Sequence, residues 1–223
     1  MTGGDRAHDG GDMPLQAECP RCPTPIPHST GGGWSCPDHG PTAPLLRPDA
    51  PSYDAFLEAL AASGDFPTYL PWPISPGWTV SDFAVVGEAG HGRATLTCSS
   101  GTSALDGPVD VFVVSEESGI GLGARCAGTP HVDPGPDLGV GRPPVRVRIG
   151  SQAVPLWAVS TWSSDVEVDR AVFAGEAGGR WLWVVLRPAS AMLLLQDEWI
   201  LRDVSGIGPS LVELPFGGPQ PTW

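Results

Sequence analysis

Apolar positions fall into many short runs with a period near two and one stretch with a helical period. The helical stretch opens at Ser52, a suitable N-cap, with Asp54 and Glu58 toward the positive end of the helix dipole. Tyr53, Phe56, Leu57, Leu60 and Ala61 recur at i, i+3, i+4, i+7 and i+8 as one apolar stripe, and Gly64 is a suitable stop. Residues 66–78, FPTYLPWPISPGW, hold four prolines among large aromatics. Proline removes ladder donors, so this segment is expected to be extended without regular pairing.

Downstream, runs at 78–86, 93–98, 109–114, 121–126, 145–149, 154–159, 170–174 and 181–186 are rich in β-formers and separated by Gly, Pro, Asp and Ser turns, so they predict strands. GEAGG at 175–179 predicts a hairpin. Arg146 and Arg148 alternate with Val145, Val147 and Ile149, which gives that strand one wet face. Residues 188–197 fit a short helix begun by Pro188 or another strand, and 199–204 a last strand. One or two helices beside many consecutive strands predict an α+β fold with a mostly antiparallel sheet.

The 30 glycines and 26 prolines are concentrated before residue 52 and in the later turns, while nine tryptophans and 41% hydrophobic residues argue for a packed core. The expected organisation is a disordered start (1–17), a small module (18–40), a Pro-rich linker (41–51), an α+β domain (52–214) and a flexible tail (215–223). Residues 1–18 hold four acids and no apolar run, and the best apolar stretch, 181–195, is broken by Arg187 and Pro188. Neither a signal peptide nor a membrane span is read, so a cytoplasmic protein is expected.

The formal charge is −13, and all twelve basic residues are arginine. Residues 1–48 carry five acids and three arginines, net −2, and residues 49–223 carry twenty acids and nine arginines, net −11. An acidic body repels phosphate backbones, so nucleic-acid binding is disfavoured and would fall to the small module.

That module reads ECPRCPTPIPHSTGGGWSCPDHG: Cys19 and Cys22 in C-x2-C, then Cys36 and His39 in C-x2-H. Two-residue spacers let each tight turn present two ligands to tetrahedral Zn²⁺. Disulfide pairing among three cysteines would leave one over, and the fourth ligand position holds His instead. Four protein ligands close the site, so the zinc is expected to be structural, with a net charge of −1 together with three thiolates. His28 lies inside the loop at poorer spacing, and Trp34 is placed to cover the metal.

Other chemistry is weaker. Glu116 and Glu117 lead into SGIGLGAR, and with Arg125 they are candidates for an acidic binding pocket or acid–base pair, Glu117 pairing with Arg125. The competing reading is a strand end with solvated acids and a Gly-rich turn. Cys98 and Cys126 read as buried small hydrophobes, and Trp157, Trp162, Trp181, Trp183 and Trp199, with Trp181 and Trp183 on one strand face, read as core packing or as an aromatic ligand groove or partner surface.

C-P-x-C at 19–22, W-x-C-P-x-H-G at 34–40, P-W-P at 71–73 with G-W at 77–78, E-E-x-G-x-G-L-G-A-R at 116–125, D-P-G-P at 133–136, and R-A-V-F-A-G-E-A at 170–177 with W-L-W at 181–183 together resemble a family of uncharacterised actinobacterial proteins of about 200 residues. The resemblance implies an N-terminal zinc ribbon before a domain of unknown function and no catalytic residues. The expected function is non-enzymatic: a zinc-ribbon protein acting as a protein-interaction or regulatory module. The alternatives are a small-molecule binder or enzyme using Glu116, Glu117 and Arg125, and, third, nucleic-acid binding through the ribbon.

Overall fold

The computed structural model describes residues 17–28, 32–88, 90–161, 169–196, 199–207, 211 and 213–223. The expected disordered start, Ala17 apart, and Trp162 lie outside the described residues. The order is β1 (Ser35–Cys36), β2 (Gly40–Pro41), β3 (Leu45–Leu46), α1 (Tyr53–Ser63), β4 (Tyr69–Pro71), β5 (Thr79–Glu88), β6 (His91–Ser103), β7 (Gly107–Glu116), α2 (Leu122–Ala127), β8 (Val145–Ile149), β9 (Gln152–Ala158), β10 (Ala171–Ala177), β11 (Arg180–Arg187) and β12 (Trp199–Asp203). Short 3-10 turns occupy Gly135–Asp137 and Ala189–Gln196.

A small β1–β2 ladder sits in the N-terminal module, and ten strands form the main sheet in the order β3-β5-β6-β7-β11-β10-β9-β8-β12-β4. Every ladder in it is antiparallel except β8–β12. The expected α+β fold with a mostly antiparallel sheet is therefore present. The sheet curls until its last strand crosses its own face. Thr95 and Thr97 of β6 donate side-chain hydrogen bonds to the carbonyls of Pro67 (2.7 Å) and Tyr69 (2.6 Å), beside and within β4.

This curl buries both faces of the central strands. Phe112, Val114, Trp183 and Val185 point into one core with Leu122 and Cys126 of α2 and Leu45 of β3. Val111, Val113, Leu182 and Val184 point into the other with Leu156, Leu195 and Leu201. The apolar run of β11 is thus explained: residues 182–186 are all fully buried. Truncating one of these leucines to alanine falls in the range of about 2–5 kcal/mol.

The helix begins and ends where expected. Ser52 Oγ accepts from the Ala55 amide at 3.2 Å, and Gly64 adopts φ 58°. Its buried face is rotated from the expected stripe, however. Phe56 stacks against Phe83 (4.9 Å) and Phe216 (5.3 Å) and Ala59 joins the same cluster, whereas Leu57 is 38% exposed.

Three segments differ in structure from the elements expected of them. Residues 121–126 form a helix, not a strand, because Gly121 at φ 86° turns the chain and the Glu116 carboxylate accepts from the Leu122 and Gly123 amides at 2.8 and 3.2 Å. The aromatic, proline-rich segment at 66–78 does contain a paired strand, since β4 uses the sheet edge where Pro71 needs no donor. The segment expected to be a linker supplies β3, with Leu45 fully buried against β5. Among the described residues, no helix is long and apolar enough to cross a membrane.

Residues 215–223, expected to be a flexible tail, pack along the sheet. Phe216 bridges Val80, and Gln220 donates to the Pro48 carbonyl at 2.8 Å. Trp223 donates to Asp82 Oδ2 at 2.7 Å, and its ring meets the guanidinium groups of both Arg47 (4.7 Å) and Arg125 (4.6 Å). Asp82 is fully buried on β5 and also accepts from Arg47, Gln220 and the Phe83 amide. A carboxylate at that depth needs such partners. Burial pushes its carboxyl above the ordinary range, against the opposing pull of Arg47.

Trp223→Ala removes one hydrogen bond to this buried carboxylate and both cation–π contacts. It is expected to lower unfolding free energy by about 1–3 kcal/mol, measured as a shift in the urea midpoint. An unchanged midpoint would show the tail to be energetically idle.

Candidate metal centre

Two tight turns build the site. In the first, the Cys19 amide donates to the Thr24 carbonyl at 3.0 Å and the Arg21 amide lies 3.4 Å from Cys19 Sγ. In the second, the β1–β2 ladder pairs Cys36 with Gly40, so the chain reverses and presents His39. Ala17, Cys19, Ile26 and Cys36, with Trp34 and Leu46 alongside, form the only apolar packing of the module among the described residues. His28 is not one of the clustered donors and stands edge-on to Trp34, with ring centroids 5.0 Å apart.

Cys19, Cys22 and Cys36 Sγ each lie 3.5 Å from His39 Nδ1, and Cys22 Sγ lies 3.7 Å from Cys36 Sγ. All four donor atoms lie within 4.8 Å of one another. A disulfide would bring two sulfurs to about 2.0 Å. One imidazole nitrogen cannot bond three thiols at once, so three equal contacts describe donors that converge on a common point. Tetrahedral bonds near 2.3 Å to sulfur and 2.0–2.1 Å to nitrogen put donors roughly 3.8 Å (S···S) and roughly 3.6 Å (S···N) apart. The spacing fits, so these residues could bind a metal such as zinc.

The module does not stand apart from the sheet, and two arginines reach in opposite directions to hold it. Arg21, between the first two cysteines, donates from Nε to the Ile120 carbonyl at 3.1 Å and from Nη2 to the Gly119 carbonyl. Arg125, on α2, donates from Nη1 to the carbonyls of Cys19 (2.8 Å) and Cys22 (3.1 Å) and pairs through Nη2 with Glu18 at 2.9 Å. Its side chain is 7% exposed, so these bonds form away from bulk water.

The structure therefore separates the three candidates outside the cysteines. Arg125 grips the cysteine turn and not Glu117. Glu117 pairs instead with Arg93 at 2.8 Å, both side chains about half exposed (45% and 48%), a geometry worth little in water. Glu116 faces inward, fully buried, accepting from Trp183 Nε1 at 2.6 Å as well as from the α2 amides. Burial raises its carboxyl to about 7, and those three donors limit the rise. Gly123 permits the arrangement, because a Cβ there would stand 2.2 Å from Trp183 Nε1. Cys98 and Cys126 are fully buried, and burial drives both thiols far above their ordinary value, so neither supplies a thiolate nucleophile near neutrality.

Sequence reasoning missed two features. One is the role of Arg21, whose only cue is its place between Cys19 and Cys22. The other is a cleft of about 580 Å³ on another part of the sheet, lined by Trp72, Trp78 and Trp199 together with Pro71, Ser99 and Leu194; of its three indoles the sequence offers only Trp199 for a groove. None of its lining side chains is acidic or basic.

Arg125→Met is expected to lower stability by about 2 kcal/mol and to speed amide exchange at residues 19–26, read by hydrogen-exchange mass spectrometry. Slowed or unchanged exchange there would mean the clasp does not hold the module. For Glu116, a folded pKa raised from 4.5 to about 7 means the native state binds the proton more tightly. Its contribution is fully present below about pH 4.5 and is lost as pH rises through about 7. The stability difference between the native chain and Glu116→Gln should shift across that window in pH-stepped denaturation, and a difference independent of pH would refute the assignment.

No curated protein and no solved structure matches the chain. A family of unknown function, DUF6758, matches residues 13–223, nearly the whole length, and the chain belongs to that family.

Proposed function

We propose that this protein is a non-enzymatic protein-interaction module. In this reading its N-terminal zinc ribbon is structural, and the tryptophan cleft is its binding face. The observation that carries the reading is the make-up of the cleft: three indoles and no acidic or basic side chain, a surface suited to holding a ligand and poorly equipped for acid–base chemistry. The residues that an enzyme reading would use do not converge. Arg125 and Glu18 serve the module, Glu116 serves the start of α2, and Glu117 meets Arg93 in solvent.

Four protein donors leave no open coordination position, which supports a folding role for the metal. The apolar cluster of the module is too small to hold it folded, and a metal would supply on the order of 10 kcal/mol.

One zinc per chain is expected by mass spectrometry of purified protein, with loss of the metal and a lower melting temperature in Cys22→Ser. Metal-free protein that keeps an ordered module would refute the structural role. For the interaction, partners cross-linked in the native host are to be purified and their affinities measured against the native chain, Trp72→Ala and Trp199→Ala. A partner that binds the native chain and loses at least tenfold in both variants supports the reading. Partners indifferent to both variants place the interface elsewhere.

A further inference from the structure

Resting on that reading of the cleft, we infer that its ligand is a neutral, extended peptide segment whose backbone amide completes a row of hydroxyl–carbonyl bonds left open at Ser99. Thr95, Thr97 and Ser99 lie two residues apart on β6 and so point to one face of the sheet. The first two donate to the carbonyls of Pro67 and Tyr69, also two apart. Continued by one step, the row would join Ser99 to Pro71. It does not: Ser99 is 2% exposed, and its Oγ has no hydrogen-bond partner. Ser99 and Pro71 both line the cleft, which opens where the row stops.

The edge of β4 supplies the other half of the site. The Trp72 amide donates to the Ile200 carbonyl of β12. By the alternation of an antiparallel ladder, Tyr69 and Pro71 turn their carbonyls away from β12, toward the side where Thr97 meets Tyr69. Pro71 has no amide hydrogen, so this edge offers an acceptor and asks for a donor. A buried hydroxyl that finds no partner is unfavourable, so Ser99 gains whenever a ligand supplies an acceptor. A peptide unit carries both: its N–H for the Pro71 carbonyl and its C=O for the Ser99 hydroxyl.

The walls select the side chains. Trp78 lies flat over Gly101, where a Cβ would stand 2.3 Å from the ring, so its position is fixed before any ligand arrives. Trp72 is backed by the Arg202 guanidinium at 4.6 Å. Indole faces on an uncharged lining favour prolyl and aliphatic side chains over charged ones. A volume of about 580 Å³ admits a short segment.

The test uses the full chain with ¹⁵N-labelled indoles. The probes are acetyl-Pro-Leu-Pro-Leu-amide, a glutamate-containing analogue of the same length, and maltose as a neutral ligand without an amide. The neutral peptide is expected to shift the Trp72, Trp78 and Trp199 resonances, with little response to the other two. Ser99→Ala should weaken the peptide about fivefold while leaving the melting temperature unchanged or higher, because it deletes a hydroxyl with no partner. Gly101→Val, which displaces Trp78, should abolish the response.

A lower melting temperature in Ser99→Ala would show the hydroxyl to be structural and overturn the inference. So would a response to maltose or to the acidic peptide that matches or exceeds the neutral one, or none to any probe. The partner assay with Trp72→Ala and Trp199→Ala judges the broader interaction reading separately.

Discussion

Two hydrogen bonds from one guanidinium to two main-chain carbonyls tie the parts of this molecule together. Arg125 binds the Cys19 and Cys22 carbonyls at the turn that carries two of the four candidate metal donors, and Arg21 returns the grip on the Gly119 and Ile120 carbonyls. A turn rich in Pro and Cys has few side chains to bury, so polar bonds to the rest of the chain must help to fix it. Because the same arginine also faces the Trp223 ring, the N-terminal module, α2 and the C-terminal segment share one joint.

The Gly-rich motif at 116–125 gains a structural meaning from that joint. Gly119 and Gly121 bring the chain round so that its carbonyls face Arg21 and its amides face Glu116. Gly123 lets α2 lie against the Trp183 indole. One acid is turned inward to hold a helix start, its neighbour is left in solvent, and the arginine ten positions on serves another module. Proximity in sequence gave these groups the look of a pocket, and the reversal at Gly121 sends them apart.

The legible parts of the fold were those set by local pattern. Alternation along 145–149 located β8 with its wet arginine face, and Ser52 with Gly64 bounded α1. The clustering of Cys19, Cys22, Cys36 and His39 was readable because a two-residue spacing lets one tight turn present two donors to a common point. The rest depends on contacts between distant residues. A glycine in the left-handed region hid α2 inside a run that looked extended. The rotation of α1 was set by Phe83 and Phe216, one far along the sheet and the other in the tail. The cleft was opaque for the same reason: its walls come from four separate stretches of chain.

The burial of Asp82 also constrains how the chain can be made. Its indole donor lies 141 positions later, and its amide donor from Gln220 lies 138 positions later. During synthesis, β5, β6 and β7 leave the ribosome long before those residues exist, so a central strand waits with a carboxylate only partly matched. Folding slows as contacts become less local. The strands already made then present an incomplete sheet to their surroundings, with the β7 edge unpaired until β11 emerges, so nascent chains are exposed to edge-to-edge association in that interval.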